Sequence, residues 1–131
     1  MTNKKTIWIT GGSTGIGKAV AIKFAESGWN VAISARRENL LDEVAKINNN
    51  IHVFPLDVTD KNNCKLVFEK IKIKFESIDI CFFSTGTWDP KKEKDIDVNQ
   101  IEEVFKINFF GTLNCIKATE DYFKNRQAGT I

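Results

Sequence analysis

The feature that most constrains this chain is a change of apolar period, from strand-like to helical and back, made four times with short connections. Thr6-Ile7-Trp8-Ile9-Thr10 is a β-rich run that ends in glycines. Residues 16–27 then place Ile16, Ala19, Val20 and Phe24 at helical spacing, and Gly28 closes the segment. Asn30–Ala35 is a second strand, and Leu40, Leu41, Val44 and Ile47 mark a second helix before the turn Asn48-Asn49-Asn50. Ile51–Leu56 reads as a third strand. Thr59 or Asp60 is placed to cap a third helix whose inner face is Cys64, Val67, Phe68, Ile71 and Phe75. Ile78–Phe83, apolar almost throughout, reads as a strand covered on both faces. A charged loop, 87–97, leads into a long helix over about 98–125. Such alternation predicts an α/β fold, a doubly wound parallel sheet with helices on both faces. With 131 residues and no linker or internal repeat, it predicts one domain, 1–131.

Composition excludes several alternatives. The chain is 42% hydrophobic and 27% charged, with two prolines, which is a globular balance. Its apolar runs are too short for a membrane span, and Met1–Lys5 lead into the first strand without a secretory leader. A net charge of +2, dispersed along the chain, argues against nucleic acid or a membrane surface as partner. Cys64, Cys81 and Cys115 form no Cys-x-x-Cys pair, and His52 is the only histidine, so no metal site is expected. Buried, reduced thiols in a cytoplasmic protein are the simplest expectation.

The chemistry lies in Thr10-Gly11-Gly12-Ser13-Thr14-Gly15-Ile16-Gly17, between the first strand and the first helix. Glycine permits tight turns and close backbone approach. A helix starting near Gly15 offers free amides and the positive end of its dipole, so the loop suits a phosphate or diphosphate. One candidate is a nucleoside triphosphate. Gly12 to Lys18 nearly forms the loop that binds it, but Ala19 stands where a magnesium-binding Ser or Thr is needed. Asp79 also begins its strand, whereas a magnesium partner belongs at the carboxyl end. The other candidate is a dinucleotide.

The spacing Gly11-x-x-x-Gly15-x-Gly17 resembles the glycine pattern of the short-chain dehydrogenase/reductase family. Asp57-Val58 after the third strand resembles that family's adenine-side pair. Ile107-Asn108-Phe109-Phe110-Gly111 resembles its V-N-x-x-G signature, and Gly129-Thr130-Ile131 the opening of its fifth strand. These occur in order along the whole chain. Phe83-Ser84-Thr85-Gly86 departs from the family's N-N-A-G and keeps only the glycine. The resemblance implies a Rossmann-like sheet of order 3-2-1-4, truncated at the start of the fifth strand. It implies a cofactor site comprising Gly11, Ser13, Thr14, Gly15, Ile16, Gly17, Asp57, Val58, Ser84, Thr85 and Gly86.

The second strand ends in Ala35-Arg36-Arg37, with no carboxylate before Glu38. An acidic residue there would bind a ribose 2′-hydroxyl, whereas a guanidinium pairs with a 2′-phosphate. Arg36, supported by Arg37, therefore points to NADP rather than NAD.

In the long helix, Ile101, Val104, Phe105, Asn108, Thr112 and Ile116 form a row expected to face the sheet. Asn108 is then a buried amide that must be satisfied by backbone, or, as the resemblance implies, a member of the catalytic proton path. The family's Ser and Tyr-x-x-x-Lys are absent: Tyr122 is the only tyrosine, followed four residues on by Arg126, and is expected on an exposed tip. The resemblance thus implies an NADP(H)-dependent oxidoreductase acting on a carbonyl or alcohol substrate, here a fragment that binds cofactor without turnover. The alternative is a non-catalytic dinucleotide-sensing or interaction domain. An apolar fourth strand left as an edge, and a long helix that in the family helps form a dimer, predict a homo-oligomer.

Overall fold

The computed structural model describes residues 4–90 and 95–131. Four parallel strands, β1 (Thr6–Thr10), β2 (Asn30–Ser34), β3 (Ile51–Val53) and β4 (Ile80–Phe83), form one sheet in the order β3-β2-β1-β4. This is the doubly wound parallel sheet that the alternation predicts, in the Rossmann-like order that the resemblance implies. Its register brings Thr10 beside Ser34 on one side and Phe83 on the other, so the three carboxyl ends open together. Residues of β1 alternate between two cores. Ile7 and Ile9 join Val31 and Ile33 under helices α1 (Gly15–Glu26) and α2 (Glu38–Ala45). Trp8 and Ala32 face α3 (Lys61–Phe75) and the chain's last helix.

Helix α3 buries Cys64, Val67, Phe68 and Ile71, the expected face. Of its two candidate caps, Asp60 serves: its carboxylate accepts from Asn63 N at 3.0 Å. β3 is shorter than the apolar run 51–56. Phe54 N and Leu56 N still donate to Ile33 O and Ala35 O, but Pro55 between them has no N–H. β4 begins at Ile80 rather than 78, because the Ile78 amide goes to a side chain, the Tyr122 hydroxyl.

The helix expected over 16–27 is present as α1, and the inner face expected of the long helix is corrected. Helix α1 buries Gly17, Ala21 and Ala25, while Ile16 is 73% exposed. This row of small residues lets the helix lie close on the sheet, with Val20, Ile22 and Phe24 packed partly buried beside it. The long helix is not uniform: α4 (Val98–Phe105) passes through a π-helical turn, Lys106–Gly111, into α5 (Thr112–Arg126). Its buried row is Ile107, Gly111, Cys115 and Thr119, one residue out of phase with the expected row, and Ile101, Phe105 and Asn108 are exposed. Small residues again decide the contact: a Cβ on Gly111 would stand 2.5 Å from Val58 Cγ2.

Tyr122 is no exposed tip. Its ring packs on Phe68 and Phe123, and its hydroxyl accepts from Ile78 N at 2.9 Å. Arg126 Nη2 meets Asp79 Oδ1 at 2.7 Å, and Asp79 Oδ2 accepts from Thr6 N at 2.8 Å. Burial raises the Asp79 carboxyl, but the Arg126 hydrogen bond, the Thr6 amide and nearby positive charge outweigh it and hold it below the usual range. Thr130 pairs in parallel with Ile80, through Thr130 N to Asp79 O and Cys81 N to Thr130 O. The last residues thus begin to cover the free side of β4. The middle of the expected charged loop, 91–94, lies outside the described residues, as do 1–3. Among the described residues no helix is long and apolar enough to cross a membrane.

Candidate functional site

A crevice of ≈ 380 Å³ opens at the carboxyl ends of β1, β2 and β4. Its floor is the turn from β1 into α1. Gly11 turns with φ +68°, and a Cβ there would come within 2.8 Å of the Ser84 backbone. Gly17 faces the same strand end: a Cβ on it would strike Gly11 O and lie 2.7 Å from Ser84 Oγ. Ser84 holds this packing in place, donating from Oγ to Thr10 O at 2.7 Å and from its amide to the same oxygen at 3.2 Å. Ser84 thereby braces the turn, although it departs from the family's asparagine.

Gly15 also has a positive φ, +57°, but a Cβ there would meet nothing within 4 Å, so its need is conformational. Thr14 precedes α1 in extended conformation and makes no side-chain cap, and the first turn holds no acidic residue. The amides at this helix start thus face the crevice with the dipole's positive end uncompensated by a carboxylate. That combination attracts an anion.

The remaining predicted cofactor residues gather around this floor. Arg36 and Arg37, just past β2, and Asp57 and Val58, past β3, line one side. Ser84, Thr85 and Gly86 line the other, and Ser13, Thr14 and Ile16 complete the floor. Ala35, Leu56, Thr87 and Ile107 line it too and were not anticipated. Of these, Ile107 was hidden by the π turn, which rotates it inward.

Asp57 accepts from Thr59 Oγ1 at 2.7 Å and Thr59 N at 3.0 Å, both through Oδ1. These bonds, led by the hydroxyl, together with the charges of Arg36 and Lys106, hold its carboxyl below the usual range despite partial burial. Its Oδ2 makes neither of these bonds, leaving an anionic acceptor beside Val58. Arg36 and Arg37 are both exposed.

Asn108 does not line the crevice. It grips the backbone that does: Nδ2 donates to Thr87 O at 2.9 Å and Oδ1 accepts from Thr87 N at 2.7 Å. The amide is satisfied by backbone, from an exposed position on the π turn, and it fixes the segment that leaves β4.

Two buried hydroxyl oxygens, Thr10 Oγ1 and Thr85 Oγ1, have no hydrogen-bond partner among the described residues. Thr85 lines the crevice, and a native buried hydroxyl without a partner calls for one. The glycine cradle, the uncapped amides, the two guanidinium groups and the Thr85 hydroxyl together fit a dinucleotide. Among the described residues no group of three or more His, Cys, Asp or Glu side chains is placed to hold a metal ion.

Comparison with known proteins points the same way. The short chain dehydrogenase family matches residues 5–131. An uncharacterized oxidoreductase of Staphylococcus epidermidis is 33% identical over 129 residues, covering 98% of this chain and 56% of the relative. A glucose 1-dehydrogenase of Gluconobacter oxydans is 31% identical over 134 residues, covering 97% and 50%. Among solved structures, ElxO with NADP bound superposes with a TM-score of 0.87 at 27% identity, over 96% of this chain and 53% of that one. The chain spans about half the length of the curated relatives it matches.

Proposed function

Because the chain belongs to the short chain dehydrogenase family of oxidoreductases, we propose that its crevice binds NADP(H) and serves hydride exchange with a carbonyl or alcohol substrate. The observation that carries this reading is the convergence of the α1 amides, Arg36 and Asp57 on one crevice. The diphosphate lies over Gly11–Gly17, where backbone amides and the helix dipole neutralise it. Asp57 and Val58 take the adenine end. Arg36, with Arg37 behind it, pairs with the 2′-phosphate, and the absence of a carboxylate at the end of β2 removes the repulsion that phosphate would meet. Support for NADP comes also from ElxO, a similar structure that holds it.

The nicotinamide ring, when bound, supplies the hydride donor or acceptor. Asn108 orders the Thr87 segment beside it and stands in the proposed proton path. These 131 residues contain no Tyr-x-x-x-Lys, and the only tyrosine, Tyr122, is spent on the Ile78 amide at the opposite end of the sheet. The reading is therefore that residues 1–131, as one dinucleotide-binding unit, hold coenzyme without turning it over. The second reading is a dinucleotide-sensing domain built on the same crevice. The free, buried cysteines suit a reducing cytoplasm, and the exposed apolar face of the long helix suits pairing with a second copy.

Titration of NADP(H) and NAD(H) against the wild type and Arg36→Ala tests the assignment. NADP(H) is expected to bind more tightly, and the substitution to weaken it about tenfold while leaving NAD(H) nearly unchanged. Equal affinities in the wild type, untouched by the substitution, would remove the argument. Adding a carbonyl substrate panel to the NADPH complex separates binding from turnover, and oxidation of the bound coenzyme would refute the inactive reading.

A further inference from the structure

Cys64 on α3 and Cys115 on α5 face each other with their Sγ atoms 4.0 Å apart. Both are free and buried. They sit directly behind the crevice wall. Cys64 Sγ donates to Val58 O at 3.6 Å, and Asn114 Nδ2 donates to the same oxygen at 2.9 Å. The Val58 side chain rests on Gly111, so its position is set by α5 as well. Val58 therefore lines the crevice on one side and leans on the thiol pair on the other.

From this geometry we propose that Cys64 and Cys115 are a cross-linking pair, whose oxidation by a peroxide weakens the hold of the crevice on its dinucleotide. The second half of the proposal rests on the dinucleotide reading; the first does not. The Cys64 thiolate attacks one peroxide oxygen, the O–O bond breaks, and a sulfenic acid and hydroxide result. The Cys115 thiolate then attacks the sulfenyl sulfur, forming the S–S bond and expelling a second hydroxide. The two thiol protons convert both hydroxides to water, so two thiols lose two electrons and hydrogen peroxide gains them.

Cys64 attacks first. The Cys115 thiol donates a hydrogen bond to it and holds its proton affinity below that of an ordinary cysteine, while that contact and burial push Cys115 up. A disulfide brings the sulfurs to about 2 Å, so the present gap must close by about 2 Å. Closure draws α3 and α5 together beneath Val58 and removes the Cys64 hydrogen bond to its carbonyl. Burial sets the rate, since peroxide reaches these sulfurs only when the two helices part. A dinucleotide that holds Val58 in place opposes that opening. By linkage it disfavours the cross-link as much as the cross-link disfavours it.

Intact-mass measurement and peptide mapping after hydrogen peroxide treatment, with and without NADP⁺, test the proposal. The expected product lacks two hydrogens and yields a Cys64–Cys115 peptide. It forms more slowly under saturating NADP⁺, and it binds NADP⁺ about tenfold more weakly until dithiothreitol restores the thiols. Cys81→Ala is expected to behave like the wild type, and Cys64→Ala and Cys115→Ala each to form no cross-link. Over-oxidised cysteines without a bridge, a bridge to Cys81, or unchanged affinity in the bridged chain would overturn it. If the reduced chain fails to bind NADP⁺, the functional reading falls, while mass alone still decides whether the bridge forms.

Discussion

Gly17 carries more of the site than its size suggests. Its hydrogen occupies the gap between Gly11 O and Ser84 Oγ, so the first turn of α1 can sit against both strand ends. Gly17→Ala is expected to destabilise the chain by about 1–3 kcal/mol, because backbone on one side and a hydrogen-bonded hydroxyl on the other leave no room to yield. Chemical denaturation measures this, and an unchanged midpoint would contradict the packing described. The glycine loop was legible in the sequence because a tight turn into a helix start needs glycine at fixed places, and Asp57-Val58 only through its resemblance to the family's pair. The partners that fix them were less so. Ser84 reads as a loss against the family pattern, yet its hydroxyl takes up the bracing of the turn. Tyr122 reads as a surface group until the end of α5 brings it to Ile78, with Arg126 beside it on Asp79.

Among the elements, β1, α1 and α3 followed their patterns, while the α4–α5 helix did not. Periodicity weights large apolar side chains, but α1 and the α4–α5 helix meet the core through small ones as well: Gly17, Ala21 and Ala25 in the first, Gly111, Cys115 and Thr119 in the second. The π turn compounds the error by changing the phase within one apparent helix. As a result Ile101, Phe105, Phe109, Phe110 and Leu113 lie exposed along α4, the π turn and α5. So much exposed apolar surface on one element favours a partner, and a second copy of this chain is the expected one. Light scattering at tens of micromolar should read a dimer, and Phe109→Asp should return it to monomer. A clean wild-type monomer would contradict this.

At the scale of the molecule, Asp79 ties the start of β1, the start of β4 and the end of α5 together through Thr6 N and Arg126. Its depressed carboxyl makes this tie a source of stability that is complete above the ordinary carboxylate range. It is lost as pH falls through the folded-state value, because the unfolded chain takes up the proton more readily. Asp79→Asn should lower stability by about 1–2 kcal/mol at neutral pH, and the difference should shrink below about pH 4. A difference that does not vary with pH would mean that the ion pair contributes little. The sheet order followed from the family resemblance together with right-handed crossovers between parallel strands. The joining of α5 to the far end of the sheet did not, because it depends on side chains that meet only in the fold.

We propose that the amides of residues 11–17 hold the diphosphate of a nicotinamide coenzyme. Amide chemical shifts of the labelled chain, followed as NADP⁺ is added, test it most directly. Saturable shifts are expected at Gly11 and Ser13–Gly17, with Arg36, Arg37, Asp57, Val58 and Thr85 moving in step and the amino end of the sheet unmoved. No shifts in this loop at saturating coenzyme, or shifts there only with a magnesium nucleoside triphosphate, would contradict it.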